Sequence, residues 1–348
     1  MNISLREYDK QIETMVENSQ VEEAVAHCRH ILKEYPQHIN TRRILGSAYL
    51  DARKYALAKD LFKEVLLAVP ADFVSNLGMS FIYSTEGNLD DAIWHIERAY
   101  EKTPNNIGIQ EELKKLYTKR DGQAPDQISK TDGVLAYLYI NSGEYEKAEQ
   151  IILQILDAEP GRRDMKTMLA RVYYQMGKLE QAAEICKECL KTSLYNLEAN
   201  RLMIKMLQGG NNPNELEQYQ HRLQELDPYA IHPDSWLLAE ELFVPEQAIQ
   251  LGRLEWSPES FAWEESQPQT PAETIAQTDP LQDLPVELET LPEDGAEPAD
   301  AAGEMLEEVQ ATQQSPDPLP QWINDLRRPQ MARESLAGLT PQDEIPDW

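Results

Sequence analysis

The sequence predicts an all-α fold, a solenoid of antiparallel helical hairpins followed by a long disordered acidic tail. The first observation is a fixed period. Pro36, Pro70 and Pro104 stand 34 residues apart, and Pro160 and Pro228 are separated by twice that distance with Leu194 midway. The second is a set of partners in the same register. Alanines precede the markers by twelve residues at Ala24, Ala58, Ala92, Ala148 and Ala182, and tyrosines precede four of those alanines by nine, at Tyr49, Tyr83, Tyr139 and Tyr173. Aligned features at one period signal a repeat architecture. The third is an uneven charge. The net charge is −29, and residues 257–348 hold −18 of it, with 21 acidic residues, 3 arginines and 13 of the 22 prolines. Such a stretch cannot bury enough apolar surface to offset the entropy of ordering it.

Each repeat reads as two short helices. In the first, Leu45, Gly46 and Tyr49, or Leu135, Ala136 and Tyr139, fall on one face. A small residue beside the tyrosine lets the helices approach. A turn follows, as in "TEGNLDDA", "NSGEYEKA" and "QMGKLEQA". The second helix carries the alanine at its closest contact, and proline closes the hairpin because it cannot continue the hydrogen-bond ladder. One hairpin cannot bury its own apolar face, so neighbours must stack.

This pattern resembles the tetratricopeptide repeat family. "LGSAYLDARKYALAKDLFKEVLLAVP" (45–70) matches it from Leu45, Gly46 and Tyr49 through Ala58 and Phe62 to Pro70. The resemblance runs over residues 5–228 and implies a right-handed superhelix. Taken in order, the first repeat (5–38) lacks the Gly/Tyr signature. The sixth (197–230) has Leu207 for the tyrosine, a "GGNNP" turn and Leu216 for the alanine; both read as terminal units. After Pro104 the phase shifts by 22 residues, leaving one helix, "IGIQEELKKLYTK", without its partner, and then the breaker-rich "RDGQAPDQIS". The expected division is a first block at 1–120, a linker at 121–128, a second block at 129–230, a capping helix region at 231–256 and the acidic tail at 257–348.

The resemblance also implies a concave groove lined by the first helix of each repeat. Those positions give Asn40, Arg43 and Ser47, then Leu77 and Phe81 beside Val74. The second block gives Lys130, Tyr137 and Asn141, then Arg171 and Tyr174, then Arg201 and Lys205. Cations interleaved with tyrosines suit an extended acidic peptide with an aromatic anchor. The plainer alternative is a set of scattered, solvated side chains. Arg43 and Ser47 stand where some family members carry a carboxylate clamp, but Leu77 breaks it, so that activity is not expected here. In the tail, "LPQWI" and "IPDW" repeat an apolar–Pro–polar–Trp order, which marks Trp322 and Trp348 as candidate docking residues.

Chemistry-bearing candidates are few. Cys186 and Cys189 are spaced C-x-x-C, but they fall mid-helix at the inward positions held elsewhere by Phe62 and Val65 or Ile152 and Ile155. They read as core packing rather than a redox pair or half a zinc site. His27 and His30 lack a third ligand in register and read as surface residues. No nucleophile elbow, phosphate loop, H-E-x-x-H or dinucleotide fingerprint occurs. The expectation is therefore a cytoplasmic, non-enzymatic scaffold that binds protein or peptide segments, with no cofactor or metal. An acidic chain repels nucleic acid and anionic membranes, and no run of 18 apolar residues suggests membrane insertion. The alternative is a regulatory protein whose tail occupies its own groove until a partner displaces it.

Overall fold

The 34-residue period becomes geometry in a computed structural model that describes residues 2–208, 213–231 and 244–263. The first hairpin pairs α1 (Leu5–Glu17) with α2 (Val21–Glu34). The second pairs α3 (Ile39–Asp51) with α4 (Tyr55–Ala68), and the third α5 (Phe73–Glu86) with α6 (Leu89–Lys102). A single helix, α7 (Ile107–Asp121), follows. Three more hairpins come next: α8 (Asp132–Ser142) with α9 (Tyr145–Ala158), α10 (Arg163–Gln175) with α11 (Leu179–Thr192), and α12 (Leu197–Leu207) with α13 (Pro213–Leu226). Each hairpin also packs on the next, as the period requires. The fold is thus all-α with one short exception, described below. The acidic sequence from 264 onward, with Trp322 and Trp348, lies outside the described residues.

Repeat chemistry recurs at the helix ends. Ser4, Asp72, Asn106 and Asn196 share one register and accept a hydrogen bond from a backbone N–H three residues on, which satisfies a donor the helix cannot. His38 and Arg162 occupy the same register without capping; both are buried and spend their side chains elsewhere. The turn inside each of the first five hairpins holds one residue in the left-handed region. Gly87, Gly143 and Gly177 fill it in three repeats, whereas Ser19 (φ 61°) and Arg53 (φ 60°) fill it in the first two. A non-glycine residue there carries a steric cost.

The core is a chain of clusters between helices. Phe62 lies against Gly46 and Gly78, and a Cβ on Gly46 would sit 2.7 Å from its ring. The small residue beside the tyrosine is therefore required by close approach. The cluster around Ile96 and Leu113 continues through Leu116 to Val134 and Leu138, so α8 packs directly on α6 across the place of the missing helix. A further cluster joins the two ends of the repeat array: Ile39, Val65 and Ala68 of the second hairpin pack with Leu226 of the last, flanked by Tyr195 and Leu197.

Residues 244–263 return to the beginning of the chain. β1 (Asn2–Ser4) pairs antiparallel with β2 (Gln250–Gly252), with Ile3 opposite Leu251. Leu5 N–H donates to the Ile249 carbonyl at 3.0 Å. The Tyr229 hydroxyl lies 2.8 Å from the Glu246 carbonyl oxygen, while the Arg6 guanidinium sits 4.0 Å from the Tyr229 ring centre.

Candidate protein-interaction surfaces

The groove positions of the first block are tied into a polar chain. Arg43 donates Nε to Asp72 Oδ2 at 2.9 Å and Nη1 to Asn40 Oδ1 at 2.9 Å. Asn40 donates in turn to Asp9 Oδ2 at 2.9 Å, and Thr41 donates to Asp9 Oδ1 at 2.8 Å. Burial alone would raise the Asp72 pKa, but Arg43 and the Ser75 hydrogen bonds outweigh it and hold the carboxyl below its ordinary value. Asp9 has only neutral donors. Burial prevails there, and its pKa is pushed up to about 6. Burial also keeps His38 neutral, lowering it to about 4. A cavity of 410 Å³ opens beside this chain, between Asp9, Glu13 and Arg43 on one side and Leu197, Leu226 and Tyr229 on the other.

The remaining groove positions vary. Ser47 and Leu77 are buried. Phe81 is half-buried, edge-on to Tyr55 with ring centres 6.1 Å apart. In the second block, Lys130, Asn141 and Arg171 are exposed, and Tyr137, Tyr174, Arg201 and Lys205 are half-buried. Arg171 and Arg201 meet at one acceptor, Glu198, at 3.8 and 4.0 Å. Tyr174 packs against the clusters on both sides of α10. The fold thus brings Asn40 to Arg43 and Arg171 to Arg201, and it sinks Leu77 into the core. The hydroxyl of Tyr137 is pushed up in pKa by burial near Asp164 and Glu101.

Between the blocks lies a buried ionic cluster that the sequence did not announce. Glu101 is 1 % exposed; its Oε1 accepts from Arg98 at 2.9 Å and its Oε2 from Arg162 at 2.7 Å. Arg162 also binds Asp164 through Nε and Nη2 at 3.0 and 2.8 Å. A Cβ on Gly133 would collide with the Glu101 carboxylate, so α8 can approach only as glycine there. The signal was available in part, since Arg162 replaces a capping residue in register.

The histidine expectation needs correction at His27. It is 1 % exposed, with Nδ1 2.6 Å from the Tyr8 hydroxyl. Its partner lies across the hairpin, nineteen residues back, beyond any local pattern. His30 is half-buried, with Nε2 2.6 Å from the Gly252 carbonyl oxygen. Cys186 and Cys189 point inward with Leu190, Met203 and Tyr219, as their register implied. Burial pushes the Cys186 thiol up to about 12, leaving no thiolate nucleophile at neutral pH. Among the described residues, no group of His, Cys, Asp and Glu is arranged to hold a metal, and no helix is long and apolar enough to cross a membrane.

The geometry defines a class, a solenoid of helical hairpins. Residues 134–193 match the family model described as "Tetratricopeptide repeat", so that stretch carries tetratricopeptide repeats. Among solved structures, a tetratricopeptide repeat protein from Parabacteroides merdae aligns at 14% identity and TM-score 0.30, covering 62% of this chain and 74% of that one. A thermophilic TPR protein from Thermus thermophilus aligns at 17% identity and TM-score 0.30, covering 58% and 98%. A structure of Naa15/Naa10 bound to HypK-THB aligns at 19% identity and TM-score 0.29, covering 64% of this chain but only 37% of that one. No curated protein matches the chain.

Proposed function

We propose that this protein is a non-enzymatic scaffold that binds protein or peptide segments through the inner face of its repeats. The observation that supports the reading best is the pairing of Arg171 with Arg201 on one acceptor, Glu198, beside Tyr174. Two guanidiniums gathered at Glu198, with Asp227 close to Arg201, place planar cationic forks beside an aromatic edge on a strongly acidic chain. An acidic extended segment fits it, since planar guanidinium forks bind carboxylates in pairs. The buried cysteines and the absence of a recognised catalytic motif support a scaffold over an enzyme, and the acidic net charge disfavours nucleic acid. The proposed compartment is the cytoplasm.

The test is affinity capture of partners on the full chain, with chemical cross-linking to map the contact. Capture should fall about tenfold or more in the Arg171→Glu/Arg201→Glu variant while helix content is kept, as expected when close charge pairs worth ~1.5 kcal/mol or more are lost. Unchanged capture would place the partner elsewhere.

The second reading is occupation of the groove by the chain's own acidic tail. Its motive is that residues 244–263 already run back onto the first hairpins. Deleting 264–348 should then raise capture, whereas equal capture removes the tail from the groove.

A further inference from the structure

We infer that the first two hairpins carry a second peptide-binding site, separate from the inner groove, which the chain's own residues 250–263 occupy in cis. The site grips main chain with side chains, as a peptide receptor does. Tyr8 OH accepts from Leu254 N–H at 3.0 Å, His30 Nε2 donates to the Gly252 carbonyl at 2.6 Å, and Arg29 Nη1 donates to the Ala262 carbonyl at 3.0 Å. The Tyr8 oxygen accepts from the segment and lies 2.6 Å from His27 Nδ1, to which we assign its proton. This sets the tautomer of His27 and leaves its Nε2 toward Glu23, 3.8 Å away. The buried pair therefore holds the hydroxyl in its receiving orientation.

Selectivity comes from three apolar anchors. Leu251 is buried, paired across β1 from Ile3. Phe261 lies under the Arg29 guanidinium at 5.7 Å. Trp263 meets Phe261 edge-on at 5.0 Å, lies 6.5 Å from the Tyr49 ring, and has Lys54 Nζ 5.4 Å from its ring centre. The ligand class is thus a segment that adds as a strand around one aliphatic anchor, turns once at Pro258–Ser260, and presents an aromatic–small–aromatic triplet ten residues beyond that anchor. Backbone pairing supplies affinity and the anchors supply choice, which is the logic of strand addition.

The outer half of the occupant is exchangeable, and Leu251 is the part seated in the core. A cavity of 500 Å³ is lined jointly by Trp256, Trp263 and the turns at Ser19–Glu23 and Ala52–Lys54, so the outer half of the segment touches its seat at Lys54 and Tyr49 without filling it. Those are the two turns whose left-handed position is Ser19 or Arg53 instead of glycine. The segment stays because it is tethered: a short linker gives an effective concentration in the millimolar range. A free segment of the same kind competes poorly until the tethered one is weakened.

The experiment uses a fluorescent peptide of residues 248–263 and the full chain. The parent protein should bind it weakly, and the Phe261→Ala/Trp263→Ala variant about tenfold or more tightly, because its own segment no longer competes. A peptide with Leu251, Phe261 and Trp263 all changed to Ala should not bind. Equal binding to parent and variant, no binding to either, or retained binding of the triple-alanine peptide would overturn the inference. Should that variant not fold, Tyr8→Phe serves instead: hydrogen exchange at the Leu254 amide should speed up while the exchange of α5–α6 stays as in the parent. Unchanged exchange at Leu254 overturns the proposal equally.

Discussion

Asp9 shows how one side chain shapes stability at the residue scale. Its two donors, Asn40 and Thr41, are neutral, and burial pushes its pKa up to about 6. An unfolded aspartate titrates near ~3.9. A pKa raised by folding adds stability that is complete below the unfolded value and lost as pH rises through the folded one. At pH 7.5 the ionised carboxylate is therefore a burden. Asp9→Asn should raise the unfolding free energy by ~1–2 kcal/mol at pH 7.5, with the gain vanishing near pH 4; urea titrations at both values would check this. His38 titrates the other way, since a pKa lowered to about 4 adds stability above the ordinary histidine range and loses it toward acid. His38 Nδ1 lies 3.7 Å from Asp9 Oδ2, so a His38→Gln background, measured with and without Asp9→Asn, separates the carboxyl from the imidazole. An equal effect at both pH values would mean that hydrogen bonding, not ionisation, sets the role of Asp9. At this scale the sequence was uneven in what it disclosed. Cys186 and Cys189 were legible because their register fixed the face they occupy. His27 and Tyr8 were not, because they meet across a hairpin and neither belongs to the repeat pattern.

At the scale of elements, the missing helix after α7 is the most informative irregularity. The stretch from 122 to 131 is mostly exposed, whereas the residues on either side are locked by Glu101 and Arg162. We propose the two blocks as separable only covalently. Limited proteolysis should cut within 122–130, and the fragments should still elute together from a sizing column. Arg162→Met should cost ~3–5 kcal/mol, because it strands a buried carboxylate, and should let the cut fragments part. Fragments that separate in the unmutated protein would show that the apolar cluster and ion pairs do not bridge the junction. The hairpins themselves were legible, because a 34-residue period with Ala, Tyr and Pro in step leaves little freedom. β1 and β2 were not: three residues each carry no periodic signal, and the paired residues lie far apart in sequence, Ile3 opposite Leu251 and Ser4 opposite Gln250.

For the whole molecule, the contact between its second and last hairpins changes how it should unfold. An open solenoid touches only nearest neighbours, so its repeats can melt in sequence. Here Leu226 packs with Ile39 and Val65, and β1 holds β2. The ends stabilise each other. Unfolding in urea should be a single transition, coincident by far-UV circular dichroism and tyrosine/tryptophan fluorescence. Leu226→Ala, a buried large-to-small change worth ~2–5 kcal/mol, should make the two probes diverge as the terminal hairpins fray first. Coincident curves in the variant would assign cooperativity to the interior hairpins alone.

The returning segment also decides where tension would go. A pull on the chain beyond residue 263 reaches Trp263 and Ala262 before any helix, then works back toward β2. Contacts loaded one after another yield at lower force than contacts loaded together. The segment would therefore peel away from Tyr49, Arg29, Tyr8 and His30 in turn, while the repeats behind it bore no load. Some twenty residues would be released, extending the chain by roughly 65–70 Å at most before the last hairpin felt the strain. The same contacts that close the molecule thus act as a mechanical fuse between whatever the chain beyond residue 263 is attached to and the solenoid.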